Sequence, residues 1–221
     1  MTYKKIALFA TLLVLGGAAN GENSVAWSDE NIDALIARMT LEEKVLLTSG
    51  RDAWSTQPID RLDIPFIWLA DGPHGLRRAP RTDTWGYGDQ LPATCFPTAS
   101  ALSSTWDTDL VREVGAALGT ESNALGVNIL LGPGINIKRS PLGGRNFEYF
   151  SEDPYLAGKL GAAYIDGVQA QGVGTSLKHY VANNLETARM WANSDVDDRT
   201  LNEIYLTPFE IAVREAQPWS V

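Results

Sequence analysis

Three apolar runs, each followed by a polar loop and then by a helical pattern, are the strongest constraint on the fold of this chain. They are residues 64–70 (IPFIWLA), 127–131 (VNILL) and 172–177 (GVGTSL). The first run is continuously apolar, which is typical of a strand buried on both faces in a parallel sheet. The recurrence of strand, loop and helix predicts βα units and an α/β fold.

Capping residues place helices between and around these strands. Helices are predicted at residues 28–39, 40–50, 107–125, 154–172 and 198–216. Thr40 with Glu43 has the spacing of a capping box, and Asp153 followed by Pro154 suits the start of a helix. Pro208 is expected to kink the last helix, and the closing QPWSV is expected to enter another strand.

Two packing predictions concern buried residues. Gly126 should end the helix at residues 107–125, whose apolar face is predicted to be Leu110, Val114, Ala117 and Leu118. Cys95 is the single cysteine of the chain, so it cannot form an internal disulfide. We interpret it as a small buried apolar residue.

The loops after the strands carry the polar residues of interest, because ligands of α/β folds bind at the carboxyl ends of the strands. Asp71 follows the first run, residues 132–145 follow the second, and Lys178 with His179 follows the third. We expect these groups to face one mouth. Asp71 alone fits either an Asp-Gly turn or a carboxylate that accepts hydrogen bonds from a polar ligand.

Lys178 and His179 raise a geometric question, because consecutive residues of a regular strand point to opposite faces. The two side chains can line one pocket only if the backbone turns or distorts between them. The alternative is a lysine that extends to solvent beside a hydrogen-bonded core histidine.

Charge and residue counts argue against several classes of function. The formal charge of -9 disfavours nucleic acid and anionic membranes as partners. Two histidines and one cysteine, without an HExxH pair, disfavour a metal site. The absence of a GxSxG elbow leaves a Ser-His-Asp triad without support.

The N-terminus has the pattern of a secretory signal peptide. Lys4 and Lys5 precede the apolar residues 6–15, and small residues follow them. This apolar stretch is too short to span a bilayer. We therefore predict a signal peptide at residues 1–19, cleavage near Ala19, and a secreted or periplasmic protein.

Four separated motifs resemble the N-terminal barrel of family-3 glycoside hydrolases, chiefly the β-glucosidase branch. They are ADGPHGLR (70–77), GPGINIKRSPLGGRNFEYFSEDPYLAG (132–158), GTSLKHYVANN (174–184) and ETAR (186–189). The resemblance extends over residues 26–221, in the family's order and spacing. The β-hexosaminidase relatives carry KHFPGHG, whereas this chain has KHYVANN, so that branch is rejected.

The resemblance implies a fold and a domain organisation. The fold class is α/β, with residues 20–221 as the N-terminal portion of an incomplete (β/α)8 TIM-type barrel. In the family, an α/β sandwich domain follows this barrel. The nucleophilic aspartate and the acid/base glutamate are expected beyond Val221, so the chain is expected to be truncated and inactive alone. Glu148 and Asp153 are interpreted as structural residues.

The resemblance also implies a hydroxyl clamp for a neutral sugar. Its substrate-binding residues are Asp71, Arg145, Lys178, His179 and Arg189. Fixed donors and acceptors of this kind strengthen their hydrogen bonds as the sugar ring flattens toward an oxocarbenium ion. Neither a metal nor a cofactor is expected.

The implied activity is that of a retaining, exo-acting β-glucosidase that hydrolyses terminal non-reducing β-D-glucosyl residues. The expected partners are a β-glucoside or oligosaccharide substrate and the missing C-terminal half of the same polypeptide. Neither nucleic acid nor, after cleavage of the signal peptide, a membrane is expected as a partner. Two alternatives remain open: a barrel aldolase that forms a Schiff base at Lys178, and a non-catalytic sugar-binding module.

Overall fold

A parallel sheet lies at the centre of the protein. The computed structural model describes residues 29–80 and 88–221. The sheet consists of β1 (Leu69–Ala70), β2 (Ile129–Leu130) and β3 (Gly174–Thr175), in the order β1-β2-β3. Both pairs of neighbouring strands are parallel. The predicted α/β arrangement with a parallel sheet is confirmed.

The closing residues join the same sheet. Ser220 forms a parallel bridge with Ser176, directly after β3. The amide of Leu177 donates to the carbonyl of Ser220, and the amide of Ser220 donates to the carbonyl of Thr175. The prediction that QPWSV enters a strand is therefore supported at one residue, Ser220, whose bridge lies outside the three strands of the sheet.

Seven α-helices lie in the described residues. They are α1 (Asp29–Arg38), α2 (Leu41–Leu47), α3 (Ala99–Ser103), α4 (Thr108–Ala124), α5 (Pro154–Gln169), α6 (Asp198–Thr200) and α7 (Thr207–Ala216). Short 3-10 turns lie at Asp60–Leu62 and Asn146–Glu148. The main core lies between the sheet and the longer helices and includes Leu118, Leu130, Leu160, Tyr164, Ile165 and Phe209.

The predicted helix caps are present where the structure describes them. Thr40 and Glu43 form the full capping box of α2. Asp153 caps α5 by accepting a hydrogen bond from the amide of Leu156 at 2.7 Å. These caps form because each satisfies amide groups that the first turn of a helix leaves without an intrahelical partner.

The last helical segment is interrupted before Pro208, as predicted. A π-helical turn at Leu201–Tyr205 separates α6 from α7. At its end, the amide of Leu206 donates to the carbonyl of Leu201. Proline has no amide hydrogen to continue the helical ladder, so the break falls just before it.

The prediction of a continuous buried strand at residues 64–70 is wrong for residues 64–68. Only Leu69–Ala70 forms a strand, while Ile64 makes an antiparallel bridge with Ile59. Phe66 is 42% exposed, and the guanidinium of Arg51 lies 4.4 Å from its ring centroid. Pro65 cannot donate to a sheet ladder, which disfavours a central strand at this point.

The predicted apolar face of α4 is right for Leu118, which is buried, and for Val114, which packs against the core, but wrong for the other two residues. Leu110 is 37% exposed and Ala117 is exposed. The buried residues of α4 are Val111, Gly115, Leu118, Gly119 and Ser122. A Cβ at Gly115 would lie 2.6 Å from the carbonyl oxygen of Tyr164 in α5, so a close contact between the two backbones decides which face is buried.

No helix of residues 29–80 and 88–221 is both long and apolar enough to cross a membrane. The predicted signal peptide lies outside the described residues.

Candidate functional site

The loops that follow β1, β2 and β3 meet at the carboxyl ends of the strands. The loops after β2 and β3 run side by side, because Gly134 forms a parallel bridge with Lys178 and the amide of Ile135 donates to the Lys178 carbonyl at 2.9 Å. Gly134 also bridges Tyr149, which closes the long loop after β2 onto itself. The predicted common mouth is therefore present.

Asp71 and Lys178 form the first pair of the site. The Nζ atom of Lys178 lies 2.8 Å from Oδ1 of Asp71, and an Arg77 guanidinium nitrogen lies 3.5 Å from Oδ2. Burial raises the pKa of Asp71, but Lys178, the backbone amide of Gly72 and Arg77 together lower it by more, so its pKa lies below the ordinary value. Asp71 is therefore an ionised carboxylate with one oxygen directed at each cation.

The turn after Asp71 fixes that carboxylate in place. The amide of Arg77 donates to the backbone carbonyl of Asp71 at 2.9 Å. Gly72 has a φ of +105°, and a Cβ there would lie 2.1 Å from the carbonyl oxygen of Gly75, so only glycine fits. The buried hydroxyl of Tyr164 donates to the carbonyl of Pro73 at 3.0 Å and ties the turn to α5. Asp71 thus belongs to a turn and faces the site as well.

Arg145 and His179 form the second pair. A guanidinium nitrogen of Arg145 lies 2.8 Å from Nε2 of His179, and Nε of Arg145 contacts the carboxylate of Glu148. A guanidinium can only donate, so Nε2 accepts and the proton of the neutral ring resides on Nδ1. Nδ1 lies 3.2 Å from both the Asn136 side-chain oxygen and the Tyr149 hydroxyl, which can accept that proton.

The ionisation of His179 follows from its surroundings. Burial, followed by the positive charges of Arg145 and Lys178, lowers the pKa of His179 to about 3. The ring is therefore neutral at physiological pH. It offers the site a fixed orientation but no additional charge.

The backbone at Lys178 and His179 departs from a regular strand. Strand β3 ends at Thr175, and the peptide bond between the two residues is cis. The side-chain oxygen of Asn136 accepts from the His179 amide at 2.8 Å, and the Asn136 amide donates to the His179 carbonyl at 2.9 Å. Lys178 contacts Asp71 and His179 contacts Arg145, so both side chains belong to the site.

Arg189 reaches this cluster only indirectly. Its Nε atom lies 3.4 Å from Oε2 of Glu186, and its side chain is 57% exposed. Oε1 of the same Glu186 lies 3.7 Å from Arg145. The structure thus brings Asp71, Lys178, Arg145 and His179 into two direct pairs and links Arg189 through a shared carboxylate.

Four supporting residues escaped the sequence predictions: Asn136, Tyr149, Asn183 and Glu186. The Tyr149 hydroxyl accepts a hydrogen bond from Asn183 at 3.1 Å, and burial raises the pKa of Tyr149 to about 12. The Asn183 amide also lies 3.1 Å from Glu186. Their only signal in the sequence was a position inside the motifs that carry the predicted ligand-binding residues.

A cavity of about 650 Å³ adjoins these pairs. Its lining includes Asp71, His74, Arg77, Cys95, Arg145 and Phe147. The prediction that Cys95 is buried is wrong, since its residue is exposed. Cys95 lies in the irregular loop before α3 rather than in a strand or helix, and this loop forms one wall of the cavity.

In the part of the chain that the structure describes, no group of three or more histidine, cysteine or acidic residues could hold a metal ion. The described side chains of the site are hydrogen-bond donors and acceptors beside a cavity large enough for a small ligand.

Sequence comparison identifies relatives over most of the chain. This chain is 57% identical to thermostable beta-glucosidase B of Acetivibrio thermocellus over 192 residues. These residues cover 86% of this chain and 25% of that protein. This chain is 51% identical over 185 residues to the exo-alpha-(1->6)-L-arabinopyranosidase of Bifidobacterium longum, 83% of this chain and 24% of that protein. The chain thus spans about a quarter of the length of these curated relatives.

Solved structures give the same relationship. Beta-glucosidase 3B from Thermotoga neapolitana in complex with alpha-D-glucose superposes with a TM-score of 0.79 at 43% identity, covering 86% of this chain and 28% of the other. Beta-glucosidase from Kluyveromyces marxianus in complex with glucose superposes with a TM-score of 0.81 at 42% identity. The superposition covers 86% of this chain and 22% of that one. These similarities, with the parallel sheet, confirm the predicted N-terminal portion of a (β/α)8 barrel.

The match to a family profile covers nearly the whole chain. Residues 9–221 match the glycosyl hydrolase family 3 N terminal domain. The chain therefore belongs to glycosyl hydrolase family 3, and the matched part is the family's N-terminal domain.

Proposed function

We propose that this chain is the sugar-binding part of a retaining, exo-acting β-glucosidase that hydrolyses terminal non-reducing β-D-glucosyl residues. Membership of family 3 and the β-glucosidase relatives support glycoside hydrolysis. The observation that carries the proposal is the pairing of Asp71 with Lys178 next to Arg145 with His179 at the carboxyl ends of the strands.

This arrangement suits a neutral sugar. The Asp71 carboxylate can accept from sugar hydroxyls, while Lys178 and Arg145 can donate to hydroxyl oxygens, and such charge-assisted hydrogen bonds are the stronger ones. Opposite charges on neighbouring groups hold the donors in place before the ligand arrives. Preorganised groups of this kind can stabilise the oxocarbenium-like transition state of glycoside hydrolysis.

We further propose that both catalytic carboxyl groups come from outside this chain. A retaining enzyme needs two of them about 5–5.5 Å apart, and the acid needs a raised pKa. The pKa of Asp71 is lowered instead. Glu148 and Glu186 are both paired with Arg145, so neither is free to act as nucleophile.

Three alternative functions have less support. A Schiff-base aldolase needs a free lysine amine, whereas Lys178 donates to Asp71 at 2.8 Å. An L-arabinopyranosidase is a more serious second candidate, because relatives at 51% and 50% identity carry that name. A pure sugar-binding module would use the same residues without hydrolysis.

The test uses the complete polypeptide that contains this chain. We expect it to hydrolyse an aryl β-glucoside with a higher kcat/KM than an aryl α-L-arabinopyranoside, and proton NMR should detect β-glucose as the first anomer released. The reverse preference would assign the second candidate. Initial α-glucose would contradict retention, and glucose binding without hydrolysis would leave a binding module.

We also propose export by the signal peptide at residues 1–19. Lys4, Lys5 and the apolar stretch after them support it. N-terminal sequencing of the exported protein should find a start near residue 20. A cytoplasmic protein that retains Met1 would contradict export.

A further inference from the structure

We infer that Glu186 is a positioning residue of the sugar site: it closes a ring of polar contacts that orients both Arg145 and Arg189. This role rests on the proposed function, since it concerns how the sugar-binding groups are held. None of the sequence motifs had assigned a function to this glutamate.

The ring can be followed from atom to atom. Arg145 contacts Nε2 of His179 at 2.8 Å, and Nδ1 of His179 lies 3.2 Å from the Tyr149 hydroxyl. That hydroxyl accepts from Asn183 at 3.1 Å, and Asn183 also lies 3.1 Å from Oε1 of Glu186. Oε1 of Glu186 lies 3.7 Å from Nη1 of Arg145, and this contact closes the ring.

The second oxygen of Glu186 extends the ring to Arg189. Oε2 lies 3.4 Å from Nε of Arg189, whose side chain is otherwise 57% exposed. An arginine that is so exposed has many accessible rotamers, and a carboxylate anchor reduces their number. Arg145 has a second carboxylate anchor in Glu148, whereas the guanidinium of Arg189 pairs with Glu186.

The location of Glu186 favours positioning over catalysis. Both of its oxygens face cations, and its side chain is only 20% exposed. In Glu186→Gln the side chain keeps its size but loses its charge. Its amide group would then direct a donor toward one of the two guanidinium groups, which can only donate.

The experiment compares Glu186→Gln with Glu203→Gln in the complete polypeptide. Glu203 pairs with Arg199 on an exposed helix surface and serves as the matched control. We expect Glu186→Gln to reduce kcat/KM for an aryl β-glucoside by roughly 10- to 100-fold, as for other residues that hold a functional group in place. Glu186→Asp, which keeps the charge, should recover part of the loss.

Monodeoxy glucosides distinguish positioning from a general structural defect. The Glu186→Gln loss should shrink for the analogue that lacks the hydroxyl bound by a displaced guanidinium, whereas a structural defect lowers kcat/KM equally for all analogues. Tyr149→Phe opens the same ring, so the double variant should lose less than the product of the two single losses.

Several results would overturn the inference. These are a Glu186→Gln activity within twofold of the Glu203→Gln control, an equal loss on every deoxy analogue, or losses of the two ring variants that simply multiply. An unsubstituted protein that binds glucose without hydrolysis would instead contradict the proposed function. In that case, glucose affinities measured by calorimetry would replace kcat/KM in the comparison of Glu186→Gln with Glu203→Gln.

Discussion

Asp71→Asn removes one negative charge from the site with almost no change in side-chain volume. Asp71 is held between Lys178 at 2.8 Å and Arg77 at 3.5 Å. In the proposed sugar complex its carboxylate also accepts from two hydroxyls. The substitution therefore affects both the folded state and the bound sugar, and the two effects differ in size.

The cost in stability should be modest because the Asp71 side chain is 32% exposed. An accessible ion pair contributes about 0–1 kcal/mol, whereas breaking a buried pair costs about 3–5 kcal/mol, and Asp71 should lie nearer the first value. The cost in turnover should be larger. Two charge-assisted hydrogen bonds at roughly 1.5–3 kcal/mol each amount to about two to four decades in kcat/KM.

The assay measures kcat/KM on an aryl β-glucoside and the thermal midpoint for the same preparations of complete polypeptide. Asp197→Ala is the control, because Asp197 caps α6 by accepting from the Thr200 amide at 3.0 Å and does not contact the described site. It should lower the midpoint and leave kcat/KM unchanged. A collapsed midpoint for Asp71→Asn with normal activity per folded molecule would identify Asp71 as a turn residue only.

Three further predictions concern pH, packing and the chain in isolation. The pKa of His179 is about 3 in the folded protein, whereas its ordinary value is 6.5. As the pH falls below 6.5, His179 therefore takes up a proton in the unfolded state while it stays neutral in the folded state. Wild type should therefore lose more stability than His179→Gln between neutral and mildly acidic pH, and parallel urea-unfolding curves would contradict this. Gly167→Ala should destabilise by about 1–3 kcal/mol because its Cβ would lie 2.2 Å from the Arg112 carbonyl oxygen, while Gly144→Ala, with contacts no closer than 3.5 Å, should not. The 221-residue chain alone should not hydrolyse an aryl β-glucoside; turnover that disappears in Arg145→Ala would place the catalytic carboxylates within it.

The sequence predicted the features that depend on local chemistry. Thr40, Asp153 and Pro208 act on the amide groups of their own helix, so their effects do not need the rest of the fold. The convergence of Asp71 and Lys178 was also predictable, because parallel strands place their carboxyl ends at one edge of a sheet.

Features that depend on a distant partner were missed. The buried face of α4 is set by contact of Gly115 with α5, and a helical wheel of apolar side chains cannot detect it. Cys95 is exposed because its loop forms a cavity wall. Tyr149 contacts Asn183 and Glu186 contacts Arg145 from a different loop in each case, and the paths of these loops are not determined by the local sequence.

A crystal structure of the complete polypeptide with bound glucose is the most direct test of the sugar-site assignment. We expect glucose hydroxyls within hydrogen-bond distance, about 2.6–3.2 Å, of Asp71, Lys178 and Arg145, with His179 still in contact with Arg145. Arg189 should remain anchored to Glu186. Glucose bound with full occupancy elsewhere, without a hydrogen bond to Asp71 or Lys178, would contradict the assignment of these loops as the sugar site.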